Sequence, residues 1–194
     1  ATDQLQRPLG VLRLSLTARC NLACPYCQPD GEEAPDRLTT EQRLRVIEAA
    51  CGLGVSSLRL TGGEPLLTPD LEELLEVIGL ARMHANSPLR GLSDIALTTN
   101  GVLLSPERAL RLRRAGLQRI TISLDAVAPQ RVGEMSGRPQ QGEQLLQQVL
   151  AAIAAAKAAG FDPAVGALKL NSVIQRGRND DRSEEHTSEL QSLR

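Results

Sequence analysis

The 194-residue sequence contains no tryptophan, one tyrosine and one phenylalanine. A nucleic-acid platform built on aromatic stacking is therefore not expected. No run of about 18 apolar residues occurs, which removes the usual signature of a membrane-spanning helix. Formal net charge is only −1, so neither a basic footprint for nucleic acid nor a field for acidic substrates shows. Nothing at the start reads as a signal peptide. Cysteine is scarce too, with four in all. Three of them, Cys20, Cys24 and Cys27, crowd into eight positions. That spacing does not suit a secreted disulfide framework. Clustered thiols without an export signal read as metal ligands in a reducing cytoplasm.

One stretch stands apart from the rest. Residues 182–192 read RSEEHTSELQS, which resembles the in-frame translation of a common sequencing-library adapter. The expectation is a natural core over residues 1–181 and a non-native, disordered tail over 182–194. The tail holds Arg182, Arg194, Glu184, Glu185 and Glu189, so leaving it aside keeps the charge near neutral. It also holds His186, which leaves His84 as the one histidine of the core.

What is present is an alternation of two periods. Short segments with period two fall at Val11–Leu16, Ser57–Thr61, Asp94–Thr98, Arg119–Leu124 and Ala167–Val173. Amphipathic segments fall between them at about 40–51, 70–83, 105–115 and 142–159. Thr39 or Thr40 suits the cap of the first helix, with Leu44, Ile47 and Cys51 on one face, and Gly52 and Gly54 end it. Ser105-Pro106 opens the third, and Gly160 closes the last. Strands alternating with helices predict a parallel α/β sheet in one domain.

The strands carry two different faces. One parity presents leucine and isoleucine: Leu12, Leu14, Leu58, Leu60, Ile95, Leu97, Ile120, Ile122, Leu168 and Leu170. The other presents Arg13, Ser15, Arg59, Thr61, Thr98, Thr121, Ser123, Asp125, Lys169 and Asn171. A parallel sheet covered by helices on both faces should be apolar on both. A closed or nearly closed barrel, with its polar layer lining a cavity for an anionic ligand, explains the pattern. Buried cations there would need an anion as partner. An open sheet with one wet face is the alternative.

The loop after the first strand reads Cys20-Asn21-Leu22-Ala23-Cys24-Pro25-Tyr26-Cys27. Three thiolates on one short loop can hold three corners of a four-iron cluster and leave one iron open. Structural zinc would need a fourth ligand, and Cys51 reads as a small core residue instead. A simple electron carrier would need a fully ligated cluster.

The C-x3-C-x2-C loop, followed by Thr61-Gly62-Gly63-Glu64-Pro65, resembles the two signatures of the radical S-adenosylmethionine superfamily. The resemblance implies an incomplete (β/α)6 partial TIM barrel, with about four and a half β/α units in this chain. It implies a [4Fe–4S] cluster on Cys20, Cys24 and Cys27 whose open iron chelates S-adenosylmethionine, and reductive cleavage to a 5′-deoxyadenosyl radical. No side chain is then needed as acid or base. The stretches LRLSLTARCNLACPYCQP, LRLTGGEPLL, IALTTNG, RITISLDA and LKLNSVIQRGRND resemble, in order, the GTP 3′,8-cyclases of molybdenum-cofactor biosynthesis. Gln28 stands where those proteins often have methionine. By that resemblance Tyr26, Gly62, Gly63, Glu64 and Ser123 contact S-adenosylmethionine, and Arg13, Arg59, Thr98 and Lys169 face GTP. It implies abstraction of the 3′ hydrogen of GTP and closure onto C8, giving 3′,8-cyclo-7,8-dihydro-GTP, the first step toward molybdopterin. It further implies a second cluster in a C-terminal region beyond this chain, without which the fragment alone would be inactive. An electron donor such as flavodoxin or ferredoxin, the next enzyme of the route, and a cytoplasmic setting complete the expectation. A radical enzyme of the same type acting on a peptide or another purine is the alternative.

Overall fold

The computed structural model describes residues 2, 4–27 and 37–180. Five parallel strands form one sheet in the order in which they occur: β1 (Val11–Ser15), β2 (Ser57–Thr61), β3 (Asp94–Thr99), β4 (Arg119–Ser123) and β5 (Leu168–Asn171). The helices are α1 (Thr40–Gly52), α2 (Leu71–Met83), α3 (Pro106–Arg114), α4 (Pro129–Met135) and α5 (Gly142–Ala158). Each consecutive pair of strands is joined through at least one helix, as parallel pairing demands. The sheet has two edges, β1 and β5, and is not closed. It is a partial (β/α) barrel, as the resemblance implies, with its sheet left open rather than closed or nearly closed.

Local chemistry sets the helix boundaries. Thr39 caps α1 by accepting from Gln42 N at 3.2 Å, and the Gln42 side chain returns to Thr39 N at 2.9 Å. This reciprocal pairing satisfies two otherwise orphaned donors. Ser105 accepts from Arg108 N at 3.2 Å, and Pro106 occupies the first turn of α3. The strands are a residue or two different from expectation at their C-terminal ends: β3 runs on to Thr99, while β1, β4 and β5 stop earlier. The residues beyond them bend away to build loops.

Leu58, Leu60, Ile95, Leu97, Ile120 and Ile122 are buried beneath the helices, together with Ile47, Leu74, Leu75, Ile78, Leu112 and Ile153. On the edge strands the same parity is less covered, so Leu12, Leu14 and Leu170 are half-buried. Cys51 packs, half-buried, against this core. The helical face of α1 differs from expectation in one respect. Arg43 is also buried, held by Asp70 at 2.8 Å and by the Leu16 carbonyl at 3.2 Å.

The polar parity is where the structure corrects the sequence. Arg13 and Lys169 are exposed and Arg59 is half-buried, rather than sealed in a cavity. With both edges open, water reaches this face, and the cations need no buried counter-ion to be tolerated. Across the sheet the polar face is stacked in rows. Arg13, Arg59, Ala96 and Arg119 form one, and Thr98, Thr121 and Lys169 the next toward the C-terminal ends. Asp94 anchors the N-terminal end of this face. It pairs with Arg119 and accepts from Ser57 Oγ at 2.8 Å.

No helix among the described residues is long and apolar enough to cross a membrane. The adapter-like tail and Gln28 lie outside the described residues.

Candidate active site

A cavity of about 170 Å³ opens at the C-terminal ends of the strands. This is where β/α barrels place their chemistry, because the loops that follow the strands converge there. Cys20, Cys24, Tyr26, Cys27, Gly62, Gly63, Thr98 and Ser123 all line it. Asn100, Asp125, Val132 and Met135 complete much of the wall. Of the residues assigned to ligands from the sequence, Glu64, Arg13, Arg59 and Lys169 lie off this lining. Lys169 shares a row with Thr98 but sits at the exposed edge, and Arg13 and Arg59 lie one row deeper.

Two loops interlock to shape the cavity. Gly63 N donates to Thr17 O at 2.7 Å, and Glu64 N donates to Arg19 O at 2.8 Å. A Cβ on Gly63 would stand 2.2 Å from the Arg19 carbonyl oxygen. A Cβ on Gly62, where φ is +153°, would stand 2.6 Å from the Thr17 carbonyl oxygen. The pair of glycines is therefore required by the backbone-to-backbone approach of the two loops.

Glu64 is part of that frame. It is buried, and its Oε1 accepts from Leu66 N at 2.9 Å and from Thr99 Oγ1 at 2.7 Å. Its Oε2 accepts from Asn100 N at 2.8 Å. The carboxylate thus ties the loop after β2 to the loop after β3. Burial pushes its acid up from the ordinary glutamate value, opposed by these hydrogen bonds.

The cysteine loop has a second support that the sequence reading missed. Ala23 N donates to Ser136 O at 3.0 Å, and Arg138 Nη2 donates to Asn21 O at 3.4 Å. Gly137 has φ +68°, and a Cβ there would meet Ala23 O at 2.0 Å. The end of α4 is thus a seat for the cysteines. Helix α4 has seven residues, too few for a periodic signal. Ala128-Pro129 followed by Val132 and Met135 is the only cue it leaves.

Tyr26 reaches across the cavity to donate its hydroxyl to Asp125 Oδ2. The other oxygen of Asp125 accepts from Val173 N at 2.8 Å. Asn179, fully buried, donates to the carbonyls of Asp125 and Val173 at 2.8 Å each. Burial and the neighbouring Asp125 both push the Tyr26 phenol upward, so it stays protonated.

The donor set suits an iron–sulfur cluster. The three cysteines are free thiols on one wall of the cavity. Among the described residues no three His, Cys, Asp or Glu side chains converge on a point that could hold one metal ion. Thiolates that each take a different iron of a four-iron cluster need no such point. Burial raises the Cys24 thiol to about 11, with Asp125 contributing, and raises Cys20, with Glu64 contributing. Thiolates here call for an added positive charge, which the irons of a cluster provide.

Comparison with known proteins bears on the same residues. A family model described as "Radical SAM superfamily" matches residues 14–190. A protein of Parasynechococcus marenigrum (strain WH8102) named "GTP 3′,8-cyclase" is 60% identical over 181 residues, covering 92% of this chain and 52% of that protein. One of Synechococcus sp. (strain CC9605) with the same name is 60% identical over 182 residues, with the same coverage. The chain thus spans about half the length of these curated relatives. Among solved structures, Streptococcus suis SuiB bound to precursor peptide SuiA superposes with a TM-score of 0.70 at 20% identity, covering 96% of this chain and 36% of that one.

Proposed function

This chain belongs to the radical SAM superfamily, and from that premise we propose that it is part of a GTP 3′,8-cyclase, a lyase that binds a [4Fe–4S] cluster and S-adenosylmethionine. One observation carries the reading. The cysteine loop and the Gly62-Gly63 turn close on one cavity, in a chain 60% identical to proteins named for that activity. When bound, the cluster supplies the electron that cleaves S-adenosylmethionine to a 5′-deoxyadenosyl radical.

The residues of the chain do the remaining work. Cys20, Cys24 and Cys27 hold the cluster. Gly62 and Gly63 let the two loops close backbone to backbone, and the turn they form lines the cavity where the methionyl end of the cofactor is received. Tyr26, steadied by Asp125, lies against the adenine, and Ser123 hydrogen-bonds the same ligand from the end of β4. The apolar wall of Val132, Met135, Leu145 and Val149 keeps water from the radical. Glu64 acts by fixing the loops rather than by touching the ligand.

Thr98 lies at the cavity, and Arg13, Arg59 and Lys169 form a cationic approach to it along the polar face. Open, hydrated guanidinium and ammonium groups suit a triphosphate, whose charge survives partial solvent exposure. Cyclisation is proposed for the whole protein, of whose relatives this chain spans half. An electron donor such as flavodoxin or ferredoxin and the next enzyme toward molybdopterin are the partners this activity requires.

The test uses the anaerobically reconstituted, reduced chain with S-adenosylmethionine and GTP deuterated at C3′. A change in the spectrum of the reduced cluster on adding S-adenosylmethionine, followed by slow formation of 5′-deoxyadenosine, is expected. Deuterium in that product identifies GTP as the substrate. Deoxyadenosine made at the same rate without GTP, and never deuterated even in the longer protein, would leave the cluster reading intact and remove the substrate.

A further inference from the structure

We propose that Asn100 is a positioning residue that donates its side-chain amide to the Cys20 sulfur and sets the reduction potential of the cluster held there. The inference rests on the cluster reading of the cysteine loop and adds a residue to it.

Asn100 follows directly on β3 and lines the cavity. Its amide has one allowed orientation. Oδ1 accepts from Val102 N at 3.0 Å, an N–H that can only donate. The nitrogen must then face the other way, and it does. Nδ2 donates to Asn21 Oδ1 at 2.8 Å and approaches Cys20 Sγ at 3.9 Å. The backbone is fixed as well, because Asn100 N donates to buried Glu64. Three anchors therefore hold one N–H toward one thiol.

Cys20 already receives Leu22 N at 3.4 Å. With Asn100 it has two N–H donors, one of which comes from a loop far along the chain. Donors to a cluster sulfur withdraw electron density and stabilise the more negative, reduced state. In a half-buried site the effect is stronger than it would be in water. Asn100 thus couples the loop after β3 to the ease with which the cluster accepts an electron. Glu64 takes part indirectly, by holding the Asn100 backbone.

The experiment compares the reconstituted chain with Asn100→Ala and Asn100→Asp. Iron content is measured first, and the midpoint potential is then followed by the electron paramagnetic resonance of the reduced cluster. Both variants are expected to bind as much iron as the unaltered chain and to titrate at a more negative potential. The shift should be larger for Asn100→Asp, which adds a negative charge as well as removing the donor. A midpoint for Asn100→Ala equal to that of the unaltered chain would overturn the proposal. Loss of iron from both variants would also overturn it, by making Asn100 a strut of the loop. An unaltered chain that binds no iron would sink the cluster reading, and this proposal with it.

Discussion

Gly63 lies so near Arg19 that a Cβ on the glycine would stand 2.2 Å from the arginine carbonyl oxygen. The neighbouring Glu64 N–H bonds that same oxygen at 2.8 Å. Backbone meets backbone, so no rotamer change can make room. Gly63→Ala is expected to push the cysteine loop away from β2, costing about 1–3 kcal/mol as an overpacked contact. Thermal unfolding should show the loss, whereas Gly10→Ala, where a Cβ meets nothing within 4 Å, should leave the midpoint nearly unchanged. Equal midpoints for the two variants would mean that the loops do not pack as described.

The cysteines should divide into three and one. Cys24→Ala is expected to abolish cluster assembly, since it removes a thiol on the cavity wall. Cys51→Ala should leave iron per chain unchanged, because Cys51 packs against the helical core away from that wall. Iron and sulfide analysis after anaerobic reconstitution decides it. A fall in iron on replacing Cys51 would show that it had been misassigned.

Tyr26 and Asp125 should behave as one unit toward S-adenosylmethionine. Tyr26→Phe removes only the hydroxyl, and Asp125→Ala removes its acceptor. Each is expected to weaken binding on the order of tenfold, the scale of one hydrogen bond to a charged group. Iron content should not change. Titration of the reduced cluster's spectrum reports the affinity, and additive losses in the double variant would show that the two do not act together.

Stability should fall in acid partly through Asp94. The hydrogen bond from Arg119, opposed by burial and aided by Ser57, holds its carboxyl below the usual aspartate value. A lowered folded value means that the stabilisation is complete above the unfolded value, near about pH 4. It is lost as pH falls through the folded value. Asp94→Asn should therefore be less stable at neutral pH and show a flatter decline below about pH 4. Denaturant unfolding across that range measures both, and an unchanged slope would remove Asp94 as a source.

Residues 182–194 are proposed to add nothing to the fold. Deleting them should leave the thermal midpoint within error. A cooperative loss of structure on deletion would show that the stretch is native.

Much of this was readable in the order of residue types. Period-two segments separated by helical ones specify parallel strands, because consecutive parallel strands must be joined by a crossover. Thr39 with Gln42, and Ser105 with Pro106, mark helix starts through groups within four residues of each other. Cys20, Cys24 and Cys27 are close in sequence, so a short loop brings them to one wall whatever the rest of the chain does. Helix α4 escaped notice because seven residues make barely two turns. Its role, to seat Ala23 through Ser136 and Gly137, depends on a meeting more than a hundred residues apart in sequence.

The sequence by itself determined the β/α alternation, the two faces of the strands, and the thiol and glycine loops, since each depends on local period or local spacing. Tertiary structure alone decided which way those residues act. Glu64 reads as a ligand group in its motif, and folding gives its carboxylate three donors, Leu66 N, Thr99 Oγ1 and Asn100 N, that brace the loops. Arg13 and Lys169 read as buried cations, yet an unclosed sheet leaves them in water. Asn100 stands in the IALTTNG stretch, but only the convergence of the loops after β1, β2 and β3 places its amide against Cys20. Burial and hydrogen-bond partners are properties of chain segments that meet, and linear spacing carries no record of them.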